Sequence, residues 1–326
     1  MTGSNEGPVE PGPSAFSSMS RSPFTVTTLG TGAALPARGR FPSAQLVNIH
    51  EKLLLIDCGE GTQERLRSLG VNFQRIAQVF ISHLHGDHYL GLMGLISSMH
   101  LLGRQSELHV YGPQDLKAII DLQLRASGTW LRYPLHFHAT EPVSGAVVYD
   151  DEHVSVSLLA LRHRIPCTGF VVREKPGLRR LRHECLDRIP KFKRTAVKQG
   201  EDLVFPDGTL IPNAELTLDP LPTRSYAYCS DTAYEPALLP FIEGVDLLYH
   251  EATFTTALAA RAKETQHSTA AQAAQLALEA GVGRLLLGHF SSRYKSAELL
   301  LREALPIFQN TELSVEGGVF TVGGKE

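Results

Sequence analysis

His83-Leu84-His85-Gly86-Asp87-His88 places four candidate metal ligands within six residues, and its surroundings decide how the rest of the chain is read. Residues 77–81 (Ala-Gln-Val-Phe-Ile) form a short apolar run that reads as a buried strand ending on Ser82-His83. A chain leaving a strand in extended conformation points residues two apart to the same side, so His83 and His85 share one direction. Gly86 permits a tight turn that swings Asp87 and His88 toward a second point. Three imidazoles and a carboxylate beside an apolar strand serve no packing purpose. Imidazole with carboxylate suits Zn²⁺ best, with Mn²⁺ or Fe²⁺ as alternatives.

Six residues cannot complete two coordination shells. Working outward, three further polar residues stand just past apolar strands: His163 after 154–160, Asp231 after 225–229 and His289 after 284–287. Other strands are expected at 24–29, 44–48, 53–56, 108–111, 169–173 and 247–249. Residues 312–316 and 319–322 read as a closing hairpin. Helical spacing marks 61–69, 90–102, 114–126, 269–279 and 297–305. Strands and helices alternate throughout, so the class is α/β.

The 326 residues suffice for one large or two ordinary domains, and 43% hydrophobic with 20% charged residues is the composition of a globular protein. Residues 1–22 are rich in Gly, Pro and Ser without the apolar stretch of a signal peptide, and read as a disordered tail ahead of a catalytic domain over 23–326. No apolar run reaches the roughly 20 residues that span a bilayer. Cys58, Cys167, Cys185 and Cys229 form no CxxC pair, which argues against a cysteine zinc site or a disulfide framework and for a reduced, cytoplasmic protein. The net charge of −3 conceals an asymmetry. Residues 173–198 carry ten Lys or Arg against three Asp or Glu, so a local +7 sits on a body of −10. Such a basic segment suits a polyanionic substrate.

The HxHxDH stretch, followed in order by a His, an Asp and a final His, resembles the metallo-β-lactamase superfamily. Within it the chain is similar to the ribonuclease Z family along nearly its whole ordered length. The matching stretches are Leu29-Gly-Thr-Gly32, Leu55-Ile-Asp57-Cys-Gly-Glu-Gly-Thr-Gln63, residues 82–92, His250-Glu-Ala-Thr-Phe254, His267-Ser-Thr269 and Gly288-His-Phe-Ser-Ser-Arg-Tyr294. The resemblance implies a four-layer αββα sandwich with two Zn²⁺ per subunit at one edge of the sheets. It places His83, His85 and His163 on one metal, Asp87, His88 and His289 on the other, and Asp231 between them. It also implies Asp57 as a support for the 83–88 loop, precursor tRNA as substrate, and a homodimer.

Cleaving a phosphodiester requires an activated water, charge relief on the phosphoryl oxygens and a proton for the leaving 3′ oxygen. Asp87 is the expected partner of the water. The proton donor should be a non-ligand histidine. His267, which opens His-Ser-Thr before a helix, is that candidate, with Glu251 fixing its tautomer, and the resemblance supports the pair. Residues 174–200 lie where the family carries a flexible tRNA-clamping arm. There Arg179, Arg180, Arg182, Lys191, Lys193, Arg194 and Lys198 are expected on phosphates. The family's Gly-Pro-rich element is replaced by Ile189-Pro-Lys-Phe-Lys-Arg-Thr195. The loop Pro36-Ala-Arg-Gly-Arg-Phe41 resembles the family's P-x-K-x-R-N loop, which makes Arg38 and Arg40 substrate-binding candidates. The alternative is a small-molecule phosphodiesterase or other hydrolase of the same superfamily, for which a +7 segment has no evident use.

Overall fold

Strict alternation along the strands builds two sheets that each bury both faces. The computed structural model describes residues 21–323. The first sheet holds β1 (Phe24–Gly30), β2 (Ala44–Ile49), β3 (Lys52–Ile56), β4 (Ile76–Phe80), β5 (Leu108–Gly112) and β6 (Leu135–Ala139). The second takes β7 (Val147–Asp150), β8 (Val154–Leu161) and β9 (Cys167–Glu174). An insert follows, carrying β10 (Arg180–Leu181), β11 (Leu203–Val204), β12 (Leu210–Ile211) and β13 (Thr217–Leu218). The second sheet resumes with β14 (Ser225–Cys229), β15 (Leu247–Glu251), β16 (Leu285–Gly288) and β17 (Thr311–Leu313), and β18 (Val319–Thr321) returns to the first. The orders are β18-β1-β2-β3-β4-β5-β6 and β17-β16-β15-β14-β9-β8-β7.

Three apolar layers follow from this pleat. Phe24, Val26, Leu54, Ile56 and Phe80 of the first sheet meet Val156, Phe170, Tyr226, Tyr228 and Tyr249 of the second in the central layer. The opposite faces of the strands pack on helices. Leu66, Leu95, Ile96, Met99, Leu116 and Ile120 cover the first sheet. Ala273, Ala274, Leu276, Ala277 and Leu300 cover the second. The result is the four-layer αββα sandwich. Small residues on the helix Ala270–Glu279 let it lie close to its sheet, and Thr269 starts it with a capping box to Gln272.

Several expectations need correction. The closing hairpin does not form. β17 runs parallel to β16, whereas β18 runs antiparallel to β1. Between them the chain crosses from one sheet to the other, held by Gly317 N donating to Thr28 O and by Glu316 accepting from Thr31. β6 and β7 were not expected, since His136 and His138 interrupt the apolar pattern of one and the other lies at a sheet edge. The basic segment, expected as a flexible arm over 174–200, belongs to a longer insert over 175–224. It has its own small core of Cys185, Ile189, Val197, Leu203 and Leu216. The tail expected over 1–22 lies outside the described residues as far as Ser20. Its last two residues are tied to the sheet, Arg21 by an ion pair to Glu174 at 2.7 Å and Ser22 by its carbonyl, which accepts from Arg224 at 2.8 Å. All four cysteines are buried and free. No helix among the described residues is long and apolar enough to cross a membrane.

Candidate metal centre

The carboxyl ends of β3, β4, β8, β14, β15 and β16 converge on one rim, and each delivers a polar residue to it. The residues 57–59 turn packs directly on the 87–91 turn: Cys58 N donates to His88 O and Gly91 N to Cys58 O. A Cβ on Gly59 would lie 2.4 Å from Asp87 O, and one on Gly91 would lie 2.2 Å from Gly59 O. Only glycine permits this backbone-to-backbone contact. Gly86 does not serve the tight turn expected of it. It opens the short helix Gly86–Tyr89, which carries Asp87 and His88 round to the second half of the site.

The ligand atoms fall into two groups. His83, His85, His163 and Asp231 form one, and Asp87, His88 and His289 the other. In the first, His85 Nδ1 lies 3.0 Å from His83 Nε2 and 3.1 Å from His163 Nε2, and Asp231 Oδ2 stands 3.7 Å from both of those Nε2 atoms. In the second, Asp87 Oδ2 lies 3.5 Å from His88 Nε2 and from His289 Nε2. Asp231 Oδ1 lies 3.1 Å from the same two nitrogens, so this one carboxylate faces both groups. His88 Nε2 and His289 Nε2 are buried and make no hydrogen bond. Buried nitrogens without a hydrogen-bond partner are costly in a folded protein. Opposed imidazoles sharing one carboxylate form the donor set of a divalent cation, so the residues present fit a metal pair.

His88, His163 and His289 are each aimed by a second contact. Asp57, fully buried, accepts from His88 Nδ1 at 2.7 Å, from Tyr228 Oη at 2.7 Å and from Ser82 N at 2.8 Å. That fixes the His88 tautomer and leaves Nε2 for the centre. His163 Nδ1 donates to Gln266 O at 3.1 Å. His289 Nδ1 bonds the Thr253 hydroxyl at 2.9 Å, and that hydroxyl donates to Glu251 Oε2 at 2.5 Å. Asp57, Asp231 and His289 all take positive φ, at 57°, 61° and 55°. Such backbone costs about 1–3 kcal/mol per residue and persists only where the surroundings impose it.

Electrostatics follow the same plan. Burial disfavours a charged His88, but Asp231, Asp57 and Asp87 hold its pKa well above the imidazole range. Burial alone would raise Asp87, yet the charge of His88 and the nearness of the His289 and His88 imidazoles, each 3.5 Å away, keep it below the usual carboxylate range. A cation between these groups would take over the role of those protons. Beside the two groups, His267 Nδ1 bonds Glu251 Oε1 at 2.8 Å. Burial opposes the imidazolium there too, but the charge and hydrogen bond of Glu251 outweigh it and raise His267 to about 9. His267 also lies close enough to Asp231 and His289 to count geometrically as a donor to a metal. A cleft of about 700 Å³ opens over the rim, lined by Asp87, His267, Arg164, Arg261 and Arg293 among others.

The other sequence candidates divide. Arg38 and Arg40 stand in the loop between Pro36 and Pro42, which line the cleft, but are themselves engaged within the protein: Arg38 Nε donates to Ser292 O at 2.7 Å, and Arg40 stacks 5.1 Å from the centre of the Phe290 ring. Arg179 pairs with Asp219 and Thr217, Arg180 donates to Asp219 O, and Arg194 holds the carbonyls of Leu186 and Ile189. Arg182 and Lys198 are half-buried, whereas Lys191 and Lys193 are exposed on either side of Phe192. Sequence reasoning missed the roles of Ser82 and Thr253, which stand in matched stretches, and of Tyr228, which looks like any buried strand residue. It also missed Arg164 and Arg261, which nothing in the sequence singles out from other arginines, and Arg293, which stands in the matched stretch 288–294 without an assigned role.

A family profile described as anti-Pycsar protein Apyc1 matches residues 24–175. Ribonuclease Z of Bacteroides thetaiotaomicron is 46% identical, over 92% of this chain and 95% of that protein. Among solved structures, the short form of human tRNase Z is 28% identical with a TM-score of 0.66, covering 91% of this chain and 98% of its own. A metallo-β-lactamase fold protein of Bacillus subtilis has a TM-score of 0.66 over 92% of this chain and 99% of its own; at 21% identity it speaks for the fold alone.

Proposed function

The chain belongs to the ribonuclease Z family, and from that premise we propose how its residues carry out the reaction. It is a tRNA 3′-processing endoribonuclease, a phosphodiester hydrolase. The observation that carries the residue assignment is Asp231 facing two ligand groups at once, with the His267–Glu251 pair beside them.

His83, His85, His163 and Asp231 would hold one divalent ion, and Asp87, His88, His289 and the same Asp231 a second; such ions would supply Lewis acidity toward the scissile phosphate and the attacking water. We take both ions to be Zn²⁺, which the imidazole-rich donor set favours over Mn²⁺ or Fe²⁺. Burial is outweighed by the charge of His88, which holds Asp87 below the usual carboxylate range, so as an anion it accepts a hydrogen bond from the attacking water and orients it. The proton that the water gives up passes through Asp87 to solvent in the open cleft, and His267 regains a proton from the same solvent after the bond breaks. His267 keeps its proton at neutral pH because Glu251 stabilises the imidazolium, and it gives that proton to the 3′ oxygen as the P–O bond breaks. The tRNA leaves with a 3′ hydroxyl and the trailer with a 5′ phosphate. Arg164, Arg261 and Arg293 on the cleft wall offer positive charge to the phosphates flanking the cut. Lys191 and Lys193 offer it farther along the RNA, with Arg182 and Lys198 behind them. A homodimer and a cytoplasmic site of action are further proposals, supported by family membership.

Purified protein incubated with a precursor tRNA bearing a 3′ trailer is expected to release the trailer, to stop when a chelator is added, and to resume with Zn²⁺ or Mn²⁺. Metal-loaded protein that leaves this RNA intact while turning over a simple phosphodiester would establish the small-molecule reading instead.

A further inference from the structure

Fourteen histidines are more than one metal pair employs, and three of the remainder gather at the far edge of the first sheet. β5 and β6 run parallel with His109 opposite His136 and Tyr111 opposite His138. Alternation places Glu107, His109 and Tyr111 on one face of their segment, and pairing places His136 and His138 beside them. Glu107 Oε2 lies 3.3 Å from His109 Nε2 and 3.7 Å from His136 Nε2, and these three residues bring their ligand atoms within 4.8 Å of one another. His109 and His136 are stacked, with ring centres 4.8 Å apart. The other nitrogen of His109 is engaged as well: Nδ1 lies 3.0 Å from His138 Nε2.

We propose that Glu107, His109 and His136 bind a divalent transition-metal ion of their own, separate from the catalytic pair. Two imidazoles and a carboxylate converging from one face form an open three-ligand site of the borderline class, suited to Zn²⁺ and leaving outer positions to water. His138 completes the pattern of a metal-bound imidazole. With His109 Nε2 on the ion, its Nδ1–H donates to His138 Nε2, which fixes the tautomer and strengthens the ligand. The site lies at the amino-terminal ends of β5 and β6, whereas the catalytic rim lies past the carboxyl ends of the strands. Its structural effect is to tie the edge strand β6 to its neighbour and to the segment that leads into β5. An edge strand lacks hydrogen-bond partners on one side, and a cross-strand clamp opposes its fraying.

The test compares wild type with a Glu107→Gln/His136→Ala double variant, each dialysed as the intact protein against micromolar Zn²⁺ and analysed for bound metal. The double variant is expected to hold one equivalent fewer while cleaving precursor tRNA at the wild-type rate. His138→Ala should keep that equivalent but bind it about 10–100-fold more weakly. A double variant with wild-type metal content overturns the site. A second measurement needs no variant: Co²⁺ added to wild type beyond the catalytic equivalents should paramagnetically shift the ring protons of His109 and His136. Unmoved resonances would equally overturn it.

Discussion

The metal centre and the basic insert both present themselves in the sequence as clusters of one residue type, yet the structure uses those clusters differently. At the centre, nearly every imidazole and carboxylate points inward and is aimed by a buried partner, as Asp57 aims His88. In the insert, part of the charge is turned to internal work. Arg194 holds two carbonyls of the segment's own backbone, and Arg179 and Arg180 close it against Asp219. A run of histidines beside an apolar strand therefore maps almost one to one onto a site, because no packing need competes for them. A run of arginines overstates the surface offered to a polyanion, because arginine's fork of donors is also a means of tying loops together.

If the two regions differ as described, damage to the centre should appear in turnover and damage to the insert in binding. His267→Ala should lower kcat by about 10²–10⁴-fold, the usual contribution of a general acid, with metal content unchanged in elemental analysis. Loss of a metal in that variant would instead make His267 a ligand, since its nitrogen lies within reach of Asp231 and His289. Glu251→Gln should have a smaller, pH-dependent effect. Glu251 raises His267 to about 9 against its burial, so removing that charge lets the proton leave at lower pH. The alkaline limb of the kcat profile then moves toward neutrality while the rate at low pH changes little. A limb that stays in place would detach the proton donor from this pair. The mildest change is expected from Lys191→Ala with Lys193→Ala. Turnover at saturation should hold, and the slope of log affinity against log salt should fall by about 1.5, the release of two phosphate contacts. A fall in kcat there would place the insert inside the chemistry.

How much of this was legible beforehand depended on whether a residue's role was local. The 83–88 loop and the strand-end positions of His163, Asp231 and His289 could be read because an apolar strand followed by a lone polar residue is a local pattern. The pairing of His267 with Glu251 was also within reach, since both stand in short polar stretches next to predicted elements. Thr253 and Tyr228 were not, because a threonine that links His289 to Glu251 looks like any other strand-end threonine. The positive φ of Asp57, Asp231 and His289 had no signal, since none of them is glycine. The false hairpin has the same origin. Two short apolar runs near the carboxyl terminus look alike whether they pair with each other or with strands on opposite sheets. The core of the insert escaped because Cys185, Ile189, Val197, Leu203 and Leu216 follow no regular period.

The insert leaves β9 after Glu174 and re-enters β14 at Ser225, and those strands are antiparallel neighbours with Ser225 opposite Arg173. At this junction Arg224 grips Glu174 through both carboxylate oxygens, Arg21 and His50 add a third and a fourth contact, and Glu174 is held at a pKa of about 2 against its burial. The two ends are thus stitched together independently of what lies between them. Lengthening a loop whose ends are already joined costs only about 0.6 kcal/mol per doubling. The sandwich can therefore accept grafted inserts of other lengths and charges at this seam. Under the proposed role of the insert in binding RNA, exchanging this one appendage would change substrate preference while leaving the rim of imidazoles and carboxylates in place.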